Sequence, residues 1–411
     1  MKVLLVNITG RSGSTGKIVS DIRESLIEYG HEAIIAYGHA DTVAESGYYQ
    51  IGKRWEGALA LRLMRLGRSC YKGNPFAFSR LKKLIEEYQP DVVHLHCINC
   101  QCINIYKLLK YLASVRQKTV ITHHAEFFYT GSCPHSFSCT LFSSSRCVGC
   151  VSSKSATGNN IFANPHRNWG RMFNAVNNFK REDLIFTAVS PWSRERAGLS
   201  PIVDRYRSVV VFNGLDTDLF HYRTNTGDTL AMSEIKGKKI ILHVTPFFDP
   251  SDEHNNKGGY YVVEVAKQNP EYSFIIVSKV SQHIDNLPDN VLYLGEANSQ
   301  EEMANLYSLS DVLLLTSKRE TFSMVTAESL CCGTPVVGFK SGGPESIAIS
   351  QYCCFVDYAD TKRLSESLRK ILSNTPNKEV VSKTAISVYS RQKMVKDYLN
   401  VYELLINANR L

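Results

Sequence analysis

Short runs of Val, Ile and Leu alternate along most of the chain with longer stretches in which apolar residues recur every three or four positions. The runs predict strands at residues 3–8, 33–37, 92–96, 119–122, 185–189 and 208–212, then a second series at 240–245, 273–278, 291–294, 311–316, 335–339 and 353–356. Helical spacing fills 16–28, 78–88, 103–112, 258–268, 299–309 and 361–373, and a last helix is expected over 391–406. Strands that are apolar almost throughout, separated by helices, mean parallel sheets covered on both faces. Two such series predict two doubly wound, Rossmann-like α/β domains. The polar segment TNTGDT interrupts the pattern and puts the boundary within 213–239. The expected division is 1–212 and 213–387, with the terminal segment 388–411 packing back on the first domain. Ligands of open parallel sheets bind beyond the carboxyl ends of the strands, so two sheets facing each other would share an inter-domain cleft.

Composition agrees with this division. A chain of 411 residues exceeds one ordinary core, and 44% apolar with 21% charged residues describes a globular protein rather than a disordered one. No apolar run approaches the ~18 residues needed to cross a bilayer. The opening MKVLLVNITG holds one basic residue and a short apolar run, which suits a buried first strand better than a signal peptide and points to the cytoplasm. A net charge of +8 admits an anionic ligand or an anionic membrane surface and selects neither. Residues 53–72, KRWEGALALRLMRLGRSCYK, sharpen the second option. Leu59, Leu63 and Leu66 would share one helical face, with Trp55 near the start and arginines beside it. That is either a helix for peripheral docking on the inner face of the cytoplasmic membrane or a core-packing helix with a solvated basic face.

Function is constrained most by residues 317–347, SKRETFSMVTAESLCCGTPVVGFKSGGPESI. They follow an expected buried strand and place Glu320 and Glu328 eight positions apart across a loop-to-helix junction. A helix beginning near Phe322 would offer its unpaired first amides and its macrodipole to an anion such as a diphosphate. Glu328 would then lie roughly 9 Å further along the axis. Gly333 ends the helix, and Gly342-Gly343 permits a second close backbone approach.

Other candidates are less specific. The first loop, 9–18, fits neither the P-loop nor the dinucleotide fingerprint, because five residues separate Gly10 from Gly16 and Arg11 stands where the latter needs glycine. What remains is Gly13-Ser-Thr-Gly16 at a strand-to-helix turn, either a phosphate or sugar contact or a plain helix start. His94, His96, His123 and His124 sit at the ends of neighbouring expected strands, where one of them, His124 above all, is placed to meet sugar hydroxyls. Twelve cysteines in a chain of this size without an export signal read as free thiols or metal ligands rather than disulfides. Cys133, Cys139, Cys147 and Cys150 have a terminal CxxC of zinc-knuckle spacing and form a candidate structural zinc site. Cys97, Cys100 and Cys102 are a weaker set, and the pairs Cys331-Cys332 and Cys353-Cys354 read as small core residues. Asp216-Thr-Asp218 resembles a divalent-cation pair but lies in the expected linker and reads as turn chemistry.

With these features the chain resembles the retaining glycosyltransferases of family 4, which have the GT-B architecture. It looks closest to the bacterial branch that builds capsule, O-antigen and colanic-acid-like polysaccharides. The matching stretches are GSTGKI at 13–18, PDVVHLH at 90–96, TGSC at 130–133, NGLD at 213–216 and, most specifically, the Glu-x7-Glu segment. The resemblance implies transfer of a sugar, with retention and without a catalytic metal, from a nucleotide-diphosphate-sugar to a saccharide or polyprenyl-linked saccharide. It implies no partnership with nucleic acid. By position, Glu320 lies at the donor sugar and His124 touches the sugar near the reacting carbon. Glu328 holds the ribose, Lys257 neutralises the diphosphate, and Phe322, Ser323, Met324 and Val325 offer amides. Two departures stand out. Residues 245–248, TPFF, replace a Gly-Arg pair and leave Lys318, Arg319 and Lys340 as substitute cations, and Ala125 follows His124 where aspartate is common. Those departures support one alternative, a non-catalytic nucleotide-sugar-binding subunit, which stands beside a sugar-nucleotide epimerase or a phosphorylase on the same fold.

Overall fold

The computed structural model describes residues 1–38, 43–65, 70–74, 76–99, 101–150, 164–224 and 238–408. Leu66, Cys100 and residues 225–237 of the expected boundary segment lie outside the described residues. The chain divides into two compact units, Met1–Phe212 with Met394–Leu411, and Asn213–Lys393.

The first unit is built on a seven-stranded sheet. Its strands are β1 (Lys2–Asn7), β2 (Glu32–Tyr37), β3 (Tyr48–Gln50), β4 (Val92–Leu95), β5 (Thr119–His123), β6 (Leu184–Ala188) and β7 (Arg207–Val210), in the order β3-β2-β1-β4-β5-β6-β7. Every pair is parallel. The helices are α1 (Gly13–Glu28), α2 (Arg54–Arg65), α3 (Ala77–Tyr88), α4 (Ile105–Ser114), α5 (Pro165–Val176) and α6 (Pro191–Gly198). Val3, Leu4, Leu5 and Val6 are fully buried, as strands covered on both faces require, and each such side chain contributes about 1.5–3 kcal/mol. β3 has no counterpart in the hydrophobic pattern, because three residues at a sheet edge, two of them exposed, carry no alternation to read.

The second unit holds six parallel strands, β8 (Ile240–Phe248), β9 (Ser273–Ser281), β10 (Val291–Gly295), β11 (Val312–Leu315), β12 (Val336–Phe339) and β13 (Cys353–Val356), in the order β10-β9-β8-β11-β12-β13. Its helices are α7 (Gly259–Gln268), α8 (Gln300–Leu309), α9 (Met324–Cys331), α10 (Gly343–Ile347), α11 (Thr361–Ser373) and α12 (Lys378–Tyr389). The last helix, α13 (Arg391–Asn407), starts in this unit and continues into the first. Helix α5 buries Asn168, Trp169, Met172, Ala175 and Val176 at helical spacing, whereas α6 and α12 have little apolar periodicity; all three carry capping signals, since Asn164 before Pro165, Ser190 before Pro191 and Asn377 each accept a first-turn amide hydrogen bond. In each sheet the strand order reverses beside the first strand of the series, between β1 and β4 and between β8 and β11, which is where such sheets open toward a ligand.

Candidate functional site

In the second unit the loops that follow β8 and β11 are sewn together by short contacts. The segment after β8 is rich in Asp and Asn, and three side chains use it to build successive turns. Asp249 accepts from Ser251 N at 2.9 Å, Asp252 from His254 N at 2.9 Å and Asn255 from Lys257 N at 2.8 Å. Lys318 N donates to Asn256 O at 2.8 Å, tying this loop to the one after β11. Gly258 has φ +69°, and a side chain there would overlap the Thr316 carbonyl. Held this way, Lys257 Nζ lies 2.7 Å from Glu320 Oε1, with 31% and 20% of the two side chains exposed.

The backbone of Glu320 is itself fixed. Its N–H donates to Ser341 O at 3.0 Å, and its carbonyl accepts from Gly343 N at 2.9 Å. Gly342 takes φ 110°, and a Cβ on Gly343 would stand 2.6 Å from Phe322 N, so only glycine permits this approach. Glu345 accepts from Ser341 N at 3.0 Å and Gly342 N at 2.7 Å, which closes the loop from below.

Helix α9 starts at Met324 rather than near Phe322, because Ser323 adopts φ +79° and its Oγ is engaged with Thr326 Oγ1 at 2.9 Å. Phe322 is a buried anchor against Tyr389, with ring centroids 6.4 Å apart. The amides of Met324 and Val325 therefore open the helix, and Glu328 lies about 6 Å along the axis instead of 9 Å. Glu328 is half-buried and accepts from Tyr307 Oη at 3.0 Å. Burial first, and then the Glu328 charge, push the Tyr307 phenol well above its ordinary range, so it stays a donor. Nothing in the sequence pattern singles out Tyr307. Of the substitute cations, Lys340 is paired with Asp357 at 2.7 Å and Lys318 stands 5.6 Å over the Tyr358 ring. Residues 245–248 continue β8. Asp218 N donates to Asp216 Oδ1 at 3.1 Å, a turn as expected.

In the first unit the four histidines separate into distinct roles. His94 contacts Tyr402 Oη of α13 at 2.7 Å and Thr122 Oγ1 at 2.6 Å, which makes it a packing residue for the terminal helix. His123 stacks on Phe186 at 5.0 Å, and neither ring nitrogen has a hydrogen-bond partner among the described residues. His96 Nδ1 and His124 Nε2 are 3.0 Å apart, so His96 supplies the orientation that Ala125 cannot. Burial holds all four below the ordinary imidazole range, with His123 brought to about 3 and His124 to about 4. They are neutral at pH 7.

Gly13 begins α1 with φ +72° and faces open space, while a Cβ on Gly16 would meet Thr9 Oγ1 at 2.5 Å, so Gly16 is a packing requirement of the loop. The cysteine loop hangs from a buried ion pair: Glu126 accepts from Arg196 Nε at 2.9 Å, and Arg196 Nη2 donates to Cys139 O at 2.7 Å. Burial, then the neighbouring thiols, raise Cys133 to about 12, and burial raises Cys147 to about 11. Among the described residues no three Cys, His, Asp or Glu side chains are arranged to hold a metal, so the expected tetrad is gathered in one loop without being closed into a ligand set. Helix α2 buries Glu56, Ala60 and Met64 and exposes Trp55, Leu59 and Leu61. Among the described residues no helix is long and apolar enough to cross a membrane.

Two Rossmann-like parallel-sheet domains, one ending in a glycine-lined Lys–Glu pair ahead of a helix N-terminus, define the GT-B class of fold. Residues 254–388 match the family described as Glycosyl transferases group 1, so the second unit carries a domain of that group. The chain is 26% identical over 205 residues to N-acetyl-alpha-D-glucosaminyl L-malate synthase of Bacillus anthracis, a match covering 47% of this chain and 52% of that protein. It thus spans about half the length of that relative. Sucrose-phosphate synthase from Thermosynechococcus elongatus superposes with a TM-score of 0.69 at 16% identity, over 99% of both chains. Anabaena HepE in complex with UDP superposes with a TM-score of 0.67 at 16% identity, over 98% of this chain and all of that one. At these identities the solved structures speak for the fold.

Proposed function

We propose that this protein is a retaining glycosyltransferase that takes a sugar from a nucleotide-diphosphate-sugar and passes it to a saccharide or lipid-linked saccharide in bacterial surface-polysaccharide synthesis. The observation that carries the reading is the Lys257–Glu320 pair at 2.7 Å, just ahead of the first amides of α9. The UDP bound to HepE, a protein of the same fold, supports a nucleotide as the ligand. In this reading the diphosphate draws Lys257 away from Glu320 and rests against the amides of Met324 and Val325, where lysine and helix dipole stabilise the charge of the leaving group. Glu320, released from the lysine, accepts from the hydroxyls of the donor sugar, and Glu328, held by Tyr307, accepts from the ribose. As the sugar–oxygen bond breaks, the acceptor hydroxyl attacks from the same face and its proton passes to the departing diphosphate oxygen. The assignment of His124 to the donor sugar rests on family position; its neutral ring, set by His96, serves as a hydrogen-bond partner rather than a charge.

The exposed Trp55, Leu59 and Leu61 on a basic helix support peripheral attachment to an anionic membrane. The spacing and shared loop of Cys133, Cys139, Cys147 and Cys150 support zinc in the loaded protein, with a structural role. One zinc per chain with four protected thiols is the expected result; a metal-free preparation with four titratable thiols removes it. The decisive test of the function is a binding and transfer screen with UDP-, GDP-, ADP- and dTDP-sugars. Donor-dependent transfer, unaffected by chelators, is expected, whereas conversion of the donor without any acceptor would mean an epimerase.

A further inference from the structure

A cavity of about 240 Å³ lies in the first unit between α4, α5 and the short 3-10 turn Cys70–Lys72. Four of its lining residues are cationic, Lys72, Lys107, Lys110 and Arg171, with Asn104 and Asn174 among the rest and no carboxylate. Lys107 and Lys110 are exposed at the rim of this concavity, and Lys72 and Arg171 are half-buried. Lys107, Lys110 and Arg171 form no ion pair with any described residue. The three positive charges of Lys107, Lys110 and Arg171 around one concavity repel one another, and an anion relieves that repulsion.

The walls are rigid enough to keep this arrangement. Asn104 caps α4 by accepting from Lys107 N at 3.0 Å, so its first turn is fixed and the positive end of the helix dipole adds to the field. Gly73 packs directly on the Ile103 backbone, and Asn74 N donates to Gln101 O at 3.0 Å, which locks the segment bearing Lys72 to the loop that starts α4. The fourth cation, Arg171, presents a planar fork suited to two phosphate oxygens at once. The volume lies below the ~300–1,000 Å³ of sites that enclose drug-sized ligands, so it suits a phosphate group rather than a nucleotide sugar.

We propose that this cavity binds a phosphate or diphosphate group carried by the acceptor. Its assignment to the acceptor rests on the glycosyltransferase reading; the anion site does not. Two sources share this chemistry, a soluble phosphorylated acceptor and the diphosphate of a lipid-linked one.

The test titrates inorganic pyrophosphate into the full-length protein by calorimetry at low ionic strength. The parent, Lys107→Gln/Arg171→Gln and Lys257→Ala are compared, with Lys110→Glu as a charge reversal at an exposed position that disturbs no packing. Two binding events are expected in the parent. The pocket variants should weaken one of them about tenfold or more, while Lys257→Ala affects only the other. Parental binding in both pocket variants, or loss of all pyrophosphate binding in Lys257→Ala, overturns the proposal. If Lys257→Ala leaves both events intact while the pocket variants lose one, the cavity stands and the donor assignment falls. Co-sedimentation with phosphatidylcholine vesicles containing a few mole percent of polyprenyl diphosphate then separates the sources. Capture lost in Lys110→Glu supports the site with a lipid-linked ligand, and binding of soluble pyrophosphate without vesicle capture supports it with a soluble one.

Discussion

At the carboxyl ends of the first sheet, β4 and β5 bring together four buried histidines whose rings are all held neutral. The loops after β8 and β11 in the second unit instead bring together Lys257 and Glu320, charged, partly exposed and paired with each other. The same topological position, the open end of a parallel sheet, thus carries two kinds of chemistry. Removing water makes charging an imidazole expensive, so the first set acts by shape and hydrogen bonding and responds to acid as a unit. Partial exposure leaves the second pair free to exchange partners, because water softens the loss of either contact. A ligand that brings its own negative charge can therefore enter the second site by taking over the lysine.

The comparison can be broken most directly at the pair. Glu320→Gln is expected to lower transfer about a hundredfold or more while nucleotide affinity is retained, as measured by initial rates alongside donor calorimetry; equal rates for variant and parent would remove Glu320 from the reaction. Acid should strike the other sheet. His123 and His124 have folded values of about 3 and 4 against about 6.5 when unfolded, so below that value the unfolded chain takes up protons that the folded one refuses. Stability is lost as pH falls from about 6.5, by roughly 2 kcal/mol per such histidine at pH 5. Hydrogen exchange at pH 7 and pH 5 should show a larger loss in β4 and β5 of the first unit, which bring together four such histidines, than in β8 of the second, where burial brings His243 alone to about 4; equal loss in the two units would contradict it. Glu328→Ala should weaken nucleotide binding about tenfold, as expected for losing a charge-assisted hydrogen bond. Unchanged donor affinity would remove Glu328 from the nucleotide site. Smallest is Tyr402→Phe, which removes one hydrogen bond to His94 and should cost about 1 kcal/mol in urea unfolding without altering donor affinity. A variant as stable as the parent would mean that packing alone holds α13.

Much of the fold was legible because it is written in long patterns. Runs such as VLLV in β1 and VLLL in β11 are apolar at every position, and only a sheet covered on both faces accepts that. The short pieces were not legible: β3 has too few residues for a period, and α6 is marked by its Ser190-Pro191 start rather than by an apolar stripe. In the site, the glutamate spacing and the paired glycines were readable because residues 317–347 form one continuous segment. The start of α9 was misplaced by two residues, since a left-handed serine at 323 leaves no signature that distinguishes it from a helical one. The Asp- and Asn-rich insertion after β8 looked like a departure and is a chain of three turns that presents Lys257.

What the sequence determined by itself is therefore the local and periodic content: two parallel α/β sheets, the glycines where backbone must approach backbone, and one segment with two carboxylates at a helix start. Tertiary structure decided the partners. That Lys257 meets Glu320 across 63 positions, that Tyr307 holds Glu328, that His96 orients His124, and that Lys72, Lys107, Lys110 and Arg171 surround one cavity are all contacts between segments distant in the chain. No period encodes them, because hydrophobic burial sets which elements pack while the polar pairings follow from where the loops then end.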